Sequence, residues 1–332
     1  MEMEKEKKNG NRHEVDVLIS TYNGGAYLAE LLASLLAQSF TDWRLIARDD
    51  GSSDDTVDML KGFAKAHPER VLIVKDTKKR LGPCQSFAHL LEKSKAEYSM
   101  FCDQDDVWLP EKIEITLKAM KGLEERYKGF PLLVHTDMKV VDKGLKVIAK
   151  SFWRFQHLAP AMKKFNNLLV FNNVTGCTTM INAKLREMAL PLPRPAILHD
   201  WWLAIVASAF GRIEYVKTPT VLYRQHGANE TGAVKYSLNY FVSRLKDLDK
   251  TSGLLKRIVG QAKAFADRYY DTLSDDKLDV VRCFSTILEK GRRDRARTIL
   301  RLDLKGYGTL RNLGLFSMWL FMKRQPVKKH GR

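Results

Sequence analysis

The sequence predicts an α/β protein built on a mostly parallel sheet with helices on both faces. Two observations carry this. Short apolar runs alternate with segments of helical periodicity over the first two-thirds of the chain. Polar clusters then follow three of those runs, where a parallel sheet of this kind binds its ligands, at the carboxyl ends of its strands.

The first element is Val15–Ser20, a short apolar run that reads as a buried strand broken by Tyr22-Asn-Gly-Gly25. Ala26–Gln38 has Leu28, Leu31, Leu32, Leu35 and Leu36 at helical spacing. Trp43–Arg48 is a second strand, Asp49–Ser53 a turn, and Ser53 a candidate cap for a helix to about Lys65. Val71–Lys75 is a third strand, followed by a loop through Leu81-Gly-Pro83 and a helix over Gln85–Lys95. Tyr98–Cys102 is a fourth strand that ends in Asp103-Gln-Asp-Asp106. Pro110 suits the first turn of a helix to about Glu125, and Leu132–Thr136 is a fifth strand. Later come an apolar helix, Trp201–Phe210, and a strand, Tyr215–Leu222. Beyond Gly232, Ser237–Leu248, Leu254–Tyr270, Lys277–Lys290 and Arg292–Leu302 read as amphipathic helices with basic polar faces.

Composition bounds the class. The chain has 332 residues, 45% of them apolar, which suffices for a large α/β domain with a smaller appendage. The net charge of +17 is unevenly placed. Residues 1–232 hold 33 Lys/Arg against 29 Asp/Glu, while residues 233–332 hold 23 against 10. This asymmetry implies an anionic partner for the last hundred residues, either nucleic acid or an anionic membrane face. No nucleic-acid-binding motif accompanies the charge, which argues against the first. The four cysteines form no CxxC pair, so neither zinc nor a disulfide framework is expected, and a reducing, cytoplasmic compartment is the simplest reading. Residues 1–13 are charged and read as a flexible N-terminus without a secretory signal. No run approaches the roughly 18 apolar residues that span a bilayer.

Three clusters carry chemistry. Asp103 and Asp105 at a strand end suit Mg²⁺ or Mn²⁺, which keep waters and take one or two carboxylates together with substrate phosphates. Alternation along an extended chain places the two on one side, with Asp106 left to cap the next helix. Asp50, in Asp49-Asp-Gly-Ser52, could accept the N3–H of a uracil or thymine ring, and Tyr22 could stack on the base. Alone, the second cluster is equally an ordinary turn capping a helix.

Ile19-Ser-Thr-Tyr-Asn23, Asp49-Asp-Gly-Ser-Ser-Asp54 and Asp103-Gln-Asp-Asp106, in that order and spacing, resemble family 2 glycosyltransferases of the GT-A fold, over roughly residues 13–230. The resemblance implies a GT-A catalytic domain over 14–232, with a nucleotide-binding half at 14–106 and an acceptor half at 107–232, and a basic helical region at 233–332. Ser20, Thr21, Tyr22, Asp50 and Asp103 would hold the nucleoside of a nucleotide-sugar donor. Asp103 and Asp105 would hold the metal, joined by His226 of Tyr223-Arg-Gln-His226, with Arg224 as a phosphate clamp. Asp200, in Leu198-His-Asp-Trp-Trp202, matches the carboxylate that serves inverting members as general base. Trp201 and Trp202 offer flat surfaces for a sugar ring, and Gly176 and Cys177 lie in the loop before a strand lining donor and acceptor.

No Gln-x-x-Arg-Trp signature is present, so addition of one sugar is expected rather than polymerisation. The closest subgroup resembles bacterial rhamnosyltransferases of cell-surface polysaccharide, which implies dTDP-L-rhamnose, or a UDP-sugar, and a saccharide or lipid-linked acceptor. Leu313–Met322, with its tryptophan and flanking cations, reads either as a helix lying in the face of an anionic membrane or as one packed on the catalytic domain. A peripheral place on the inner face of the plasma membrane would result from the first. A sugar-nucleotide-forming nucleotidyltransferase would share the fold, but would need a Gly-rich, Arg-bearing loop where Thr21-Tyr-Asn-Gly-Gly25 stands. A non-catalytic relative would not need Asp103, Asp105 and Asp200 intact.

Overall fold

The computed structural model describes residues 13–78, 80–227, 248–322 and 324. Strands β1 (Val15–Thr21), β2 (Trp43–Asp49), β3 (Val71–Ile73) and β4 (Tyr98–Cys102) alternate with helices α1 (Gly25–Leu36), α2 (Thr56–Ala66) and α3 (Gly82–Lys93). Next come β5 (Val107–Trp108), α4 (Lys112–Arg126), β6 (Leu132–Asp142), β7 (Val147–Ala149), α5 (Phe152–Phe155) and α6 (Phe165–Val170). A 3₁₀ turn at Gly176–Thr178 leads into β8 (Thr179–Asn182), α7 (Ala183–Ala189), α8 (His199–Phe210) and β9 (Arg212–Gln225). The chain closes with α9 (Leu248–Arg268), α10 (Asp275–Ser285), α11 (Arg292–Arg301) and α12 (Thr309–Phe321).

The sheet runs β3-β2-β1-β4-β8-β6-β9-β5, with β7 attached to β6. β1 is parallel to β2 and β4, and β6 to β9, while β8 is antiparallel to both β4 and β6. Two antiparallel steps restore direction, so β1, β2, β4, β6 and β9 all end on one edge. The architecture is the GT-A type, a mostly parallel curled sheet with a helical C-terminal region.

Several boundaries move. Helix α3 begins at Gly82, because Pro83 sits in its first turn, where the missing N–H costs nothing. Helix α4 begins at Lys112 rather than at Pro110, whose carbonyl accepts the Ser39 N–H at 2.9 Å. Ser53 does not cap α2: its N–H bonds Asn23 Oδ1 at 2.8 Å, and Asp54 Oδ1 takes the Thr56 N–H at 3.1 Å. β6 and β9 extend well beyond the expected strands. Of the expected helix at 237–248, residues 237–247 lie outside the described residues.

The core has two layers. Val15, Val17 and Ile19 face α1 and α4, while Leu18 faces α3 and α8, as the two-residue period of a strand requires. Helix α8 is buried almost all round, the state of a helix apolar on every side. Leu255, Phe265, Phe284 and Trp319 from the C-terminal helices join the same cluster as Trp202. Trp319 is 2% exposed and meets Phe284 edge-on at 5.3 Å. Arg295 lies buried beneath it, donating to the carbonyls of Ile287, Leu288, Trp319 and Met322. The tryptophan therefore faces the protein, as the packed-helix reading requires. No helix among the described residues is long and apolar enough to cross a membrane.

Candidate active site

The three polar clusters meet at the shared strand edge and tie one another down. Thr21 Oγ1 donates to Asp49 at 2.9 Å, and Asp49 takes the Gly51 and Ser52 N–H groups at 2.9 and 2.8 Å. Asn23, in the left-handed region at φ 49°, donates its N–H to Ser52 Oγ. Gln104 bridges to the backbone of Tyr22 in both directions, accepting its N–H at 2.8 Å and donating to its carbonyl at 3.0 Å. Ser20 is half-buried and Thr21 buried, while Tyr22 is 48% exposed and free to stack on a planar ligand.

Asp50 is held deeper. Its carboxylate accepts from Arg48 Nη1 at 2.7 Å and from the Leu81 and Gly82 N–H groups at 2.9 and 2.8 Å. Desolvation works against these bonds, yet they hold its pKa below the usual carboxylate range. Two carboxylate oxygens offer about four acceptor directions, so three donors leave one for a ligand.

The acidic run does not continue the strand. Residues 103–106 turn, which breaks the alternation expected of an extended chain. Asp103 and Asp106 gather with Cys177, one ligand atom of each lying within 4.8 Å of the others. Asp105 turns instead to His226, whose Nε2 lies 2.7 Å from Oδ2. Asp106, expected only to cap, is fully buried, and its pKa is pushed well up by burial and by the charges of Asp103 and Asp105. Its Oδ2 has no hydrogen-bond partner among the described residues.

The carboxylate oxygens of Asp103 and Asp106 suit a hard divalent cation. The expected set of Asp103, Asp105 and His226 would offer two oxygens and a borderline nitrogen, but among the described residues Asp105 and His226 do not join the group of ligand atoms that Asp103 forms with Asp106 and Cys177. Cys177 is a poor ligand for such an ion, since burial drives its pKa well up and keeps it a thiol.

Arg224 departs from its expected role as a phosphate clamp. Its guanidinium, 2% exposed, donates to Glu30, to the Lys143 carbonyl at 2.7 Å and to the Asp105 carbonyl at 2.9 Å, and the backbone N–H of Arg224 donates to Asp106 Oδ1 at 3.2 Å. It lies over the Tyr27 ring, which also stacks on His226 at 4.6 Å. Arg224 thus positions the acidic loop rather than facing a ligand.

Asp200 stands in the first turn of α8, one residue inside the helix rather than at its cap, Leu198. Oδ2 accepts the Gly176 N–H at 2.8 Å, and Oδ1 accepts Asn172 Nδ2 at 3.1 Å and the Trp201 N–H at 2.5 Å. Burial outweighs these bonds and pushes its pKa up to about 6. His199 packs between Phe87 and Phe101, at ring distances of 4.2 and 4.6 Å, and burial drives its pKa down to about 3, so the ring is neutral.

The segment 172–177 links the halves of the site. Gly176 donates its N–H to Asp200, and its neighbour Cys177 belongs to the acidic cluster. Adjacent Cα atoms are about 3.8 Å apart, which brings the two chemistries together.

Trp201 and Trp202 are not sugar platforms. Trp202 is fully buried, its indole N–H bonded to the Ala189 carbonyl at 3.2 Å, and Trp201 bonds the Leu168 carbonyl at 2.6 Å. Phe265 of α9 and Tyr269 just after it pack on the Trp202 ring. Sequence reasoning missed Asn172, Glu30 and Lys112. Asn172 adjoins a segment singled out for other reasons. Lys112 gives no signal, since a lysine in a helix's first turn is ordinarily solvated, yet here it is fully buried over the Trp108 ring at 4.6 Å.

A family model described as "Glycosyl transferase family 2" matches residues 16–187. The dTDP-rhamnosyl transferase RfbG of Shigella flexneri is 26% identical over 267 residues, covering 75% of this chain and 85% of that protein. TuaG of Bacillus subtilis, named for teichuronic acid biosynthesis, is 27% identical over 200 residues, covering 59% and 73%. The crystal structure of S. aureus TarS 1-349 in complex with UDP superposes with a TM-score of 0.55 at 16% identity, covering 92% of this chain and 88% of that one.

Proposed function

The chain belongs to glycosyl transferase family 2 and is a glycosyltransferase, and on that premise we propose that it transfers one sugar with inversion from a nucleoside-diphosphate sugar, using Asp200 as the general base. The observation that carries this reading is the placing of Asp200: a buried carboxylate pushed up to about pKa 6 and fixed by three donors, one of which, the Gly176 N–H, belongs to the residue next to Cys177 of the acidic cluster. An attacking hydroxyl must lose its proton opposite the leaving diphosphate, and a base whose pKa lies near the working pH does this best. Membership of the family sets aside the nucleotidyltransferase reading.

Ser20, Thr21, Tyr22, Asp50 and Asp103 hold the nucleoside in this proposal. Asp103, Asp105 and His226 hold Mg²⁺ or Mn²⁺. When bound, that ion neutralises charge on the departing diphosphate. Arg224 keeps the loop in place through the Asp105 carbonyl and the Asp106 carboxylate. Gly176 and Cys177 form the floor between donor and acceptor.

The relatives support a place in cell-surface polysaccharide synthesis. The name of the RfbG relative favours dTDP-L-rhamnose as donor, and the UDP complex of TarS keeps UDP-sugars in view. The acceptor is a saccharide or a lipid-linked saccharide. The test is a donor panel with Mn²⁺ or Mg²⁺, followed by release of UDP or dTDP and by the anomeric configuration of the product. Asp105→Ala abolishes metal-dependent donor binding. Asp200→Asn retains donor binding and loses about 10²- to 10⁴-fold in transfer. Transfer at the normal rate by Asp200→Asn overturns the assignment of the base.

A further inference from the structure

The hairpin of β6 and β7 has features that sugar transfer does not use. Its turn is fixed: Asp142 Oδ1 accepts the Gly144 and Lys146 N–H groups, each at 2.9 Å, and Leu145 adopts φ 67°. The turn is also braced on the active site. Arg224 donates to the Lys143 carbonyl at 2.7 Å while its own N–H meets Asp106.

Beyond the turn the arm is bare. Among the described residues β7 pairs with β6 alone. Successive strand side chains point to opposite faces. Val147 and Ile148 are nevertheless 48% and 52% exposed, so neither face of the strand is covered. Around them Lys143, Lys146, Lys150 and Arg154 are all exposed, with no acidic residue between 143 and 154.

Lysines on an edge strand commonly guard against edge-to-edge pairing. That role does not call for two uncovered β-branched residues at its centre. A soluble polyanion would engage the cations and leave Val147 and Ile148 idle. An apolar strand flanked by cations instead matches the boundary of an anionic bilayer, where acyl chains lie just below the phosphates.

We propose that the β6–β7 hairpin is a docking arm for an anionic lipid surface. Val147 and Ile148 enter the headgroup boundary, and Lys143, Lys146, Lys150 and Arg154 bind its phosphates. Because the turn is tied through Arg224 to the acidic loop, docking sets the mouth of the active site at a fixed attitude to the lipid. The contact does not depend on the C-terminal helices.

The test is sedimentation of the full chain with vesicles of phosphatidylcholine alone and of phosphatidylcholine mixed with phosphatidylglycerol. Binding is expected only with the anionic vesicles. Removing one cation near such a surface weakens partition by about fivefold, so Lys143→Gln with Lys146→Gln lowers it by roughly 30-fold. Val147→Ser with Ile148→Ser lowers it by about tenfold or more. Both double variants should melt as the parent does, since the four side chains are exposed. Arg293→Gln with Arg297→Gln, on the outer face of α11, leaves most of the binding. Three results overturn the proposal: no binding to anionic vesicles; parental binding by the Val147/Ile148 variant, which would point to a soluble anionic polymer; or loss of binding confined to the Arg293/Arg297 variant.

Discussion

Substituting Asp200 by asparagine separates what burial does for catalysis from what it costs the fold. Burial raises the Asp200 pKa to about 6, against about 4 for an exposed carboxyl. Two units correspond to roughly 3 kcal/mol between the protonated and ionised forms. The native state therefore binds more protons than the unfolded chain between about pH 4 and pH 6, and its stability falls as pH rises through that window. Below pH 4 the group is protonated in both states and the penalty is absent. Above about pH 6.5 the penalty is complete.

Asparagine cannot ionise and escapes this pH-dependent term. It has its own fixed cost, because its amide faces the Gly176 N–H that Oδ2 now accepts, and an unsatisfied buried donor costs about 1–3 kcal/mol. That cost does not vary with pH, so the slope isolates the titration. We expect the stability of Asp200→Asn relative to the parent to rise by about 3 kcal/mol between pH 4 and pH 7.5. Urea midpoints followed by tryptophan fluorescence at several pH values measure it. In parallel, the parent's kcat/KM should fall about tenfold per pH unit below 6, as the base becomes protonated. A stability difference that stays flat across the window refutes the claim that Asp200 is buried and ionised at neutral pH.

Two further predictions concern neighbours of this residue. An alanine Cβ at Gly176 would stand 2.7 Å from His199 Nε2, and the flanking Phe87 and Phe101 leave that ring no room to yield. Gly176→Ala should cost about 1–3 kcal/mol and lower kcat more than it changes donor KM, because Asp200 shifts with its anchor; thermal melting and kinetics that match the parent would show the contact to be unimportant. Trp202→Phe should cost on the order of 1–3 kcal/mol through the lost Ala189 bond and the space left behind, with KM for donor and acceptor unchanged; a raised acceptor KM at parental stability would return Trp202 to the sugar site.

The parts of the site that were legible in the sequence depend on local pattern. A buried strand followed by acids places those acids at the sheet edge wherever the rest of the chain goes, and Asp49, Asp50 and Asp103 all lie there. Asp200 is singled out by the family resemblance alone, through the match of Leu198-His-Asp-Trp-Trp202. The errors arose where distant residues decide. The alternation argument paired Asp103 with Asp105, but the chain turns after Cys102, and Gln104 is drawn to the Tyr22 backbone. Trp202 looks like a platform until Phe265 of α9 and Tyr269 just after it, some sixty residues later, cover it. Arg224 looks like a free cation until Glu30, from the first helix, meets it. No window of sequence contains those partners.

The same distant packing explains why Asp200 is suited to the role of base proposed for it. Asp200 would be an ordinary carboxylate on an exposed helix end, with a pKa too low for it to take a proton readily at neutral pH. Helix α8 is sunk between the sheet and α9, and the uncharged His199 beside it adds no countercharge, so the surroundings penalise the anion. Asn172, Gly176 and the Trp201 N–H return enough hydrogen bonding to keep it ionised at neutral pH and aimed. In the proposed mechanism the C-terminal helices thereby act on the chemistry through the pKa of Asp200. A truncation that removed α9 would uncover α8, let water reach Asp200 and draw the acid limb of the activity profile down from pH 6 toward 4 in whatever enzyme survived. An acid limb that stayed at pH 6 in such an enzyme would mean that the local hydrogen bonds, and not the buried helix, set the base.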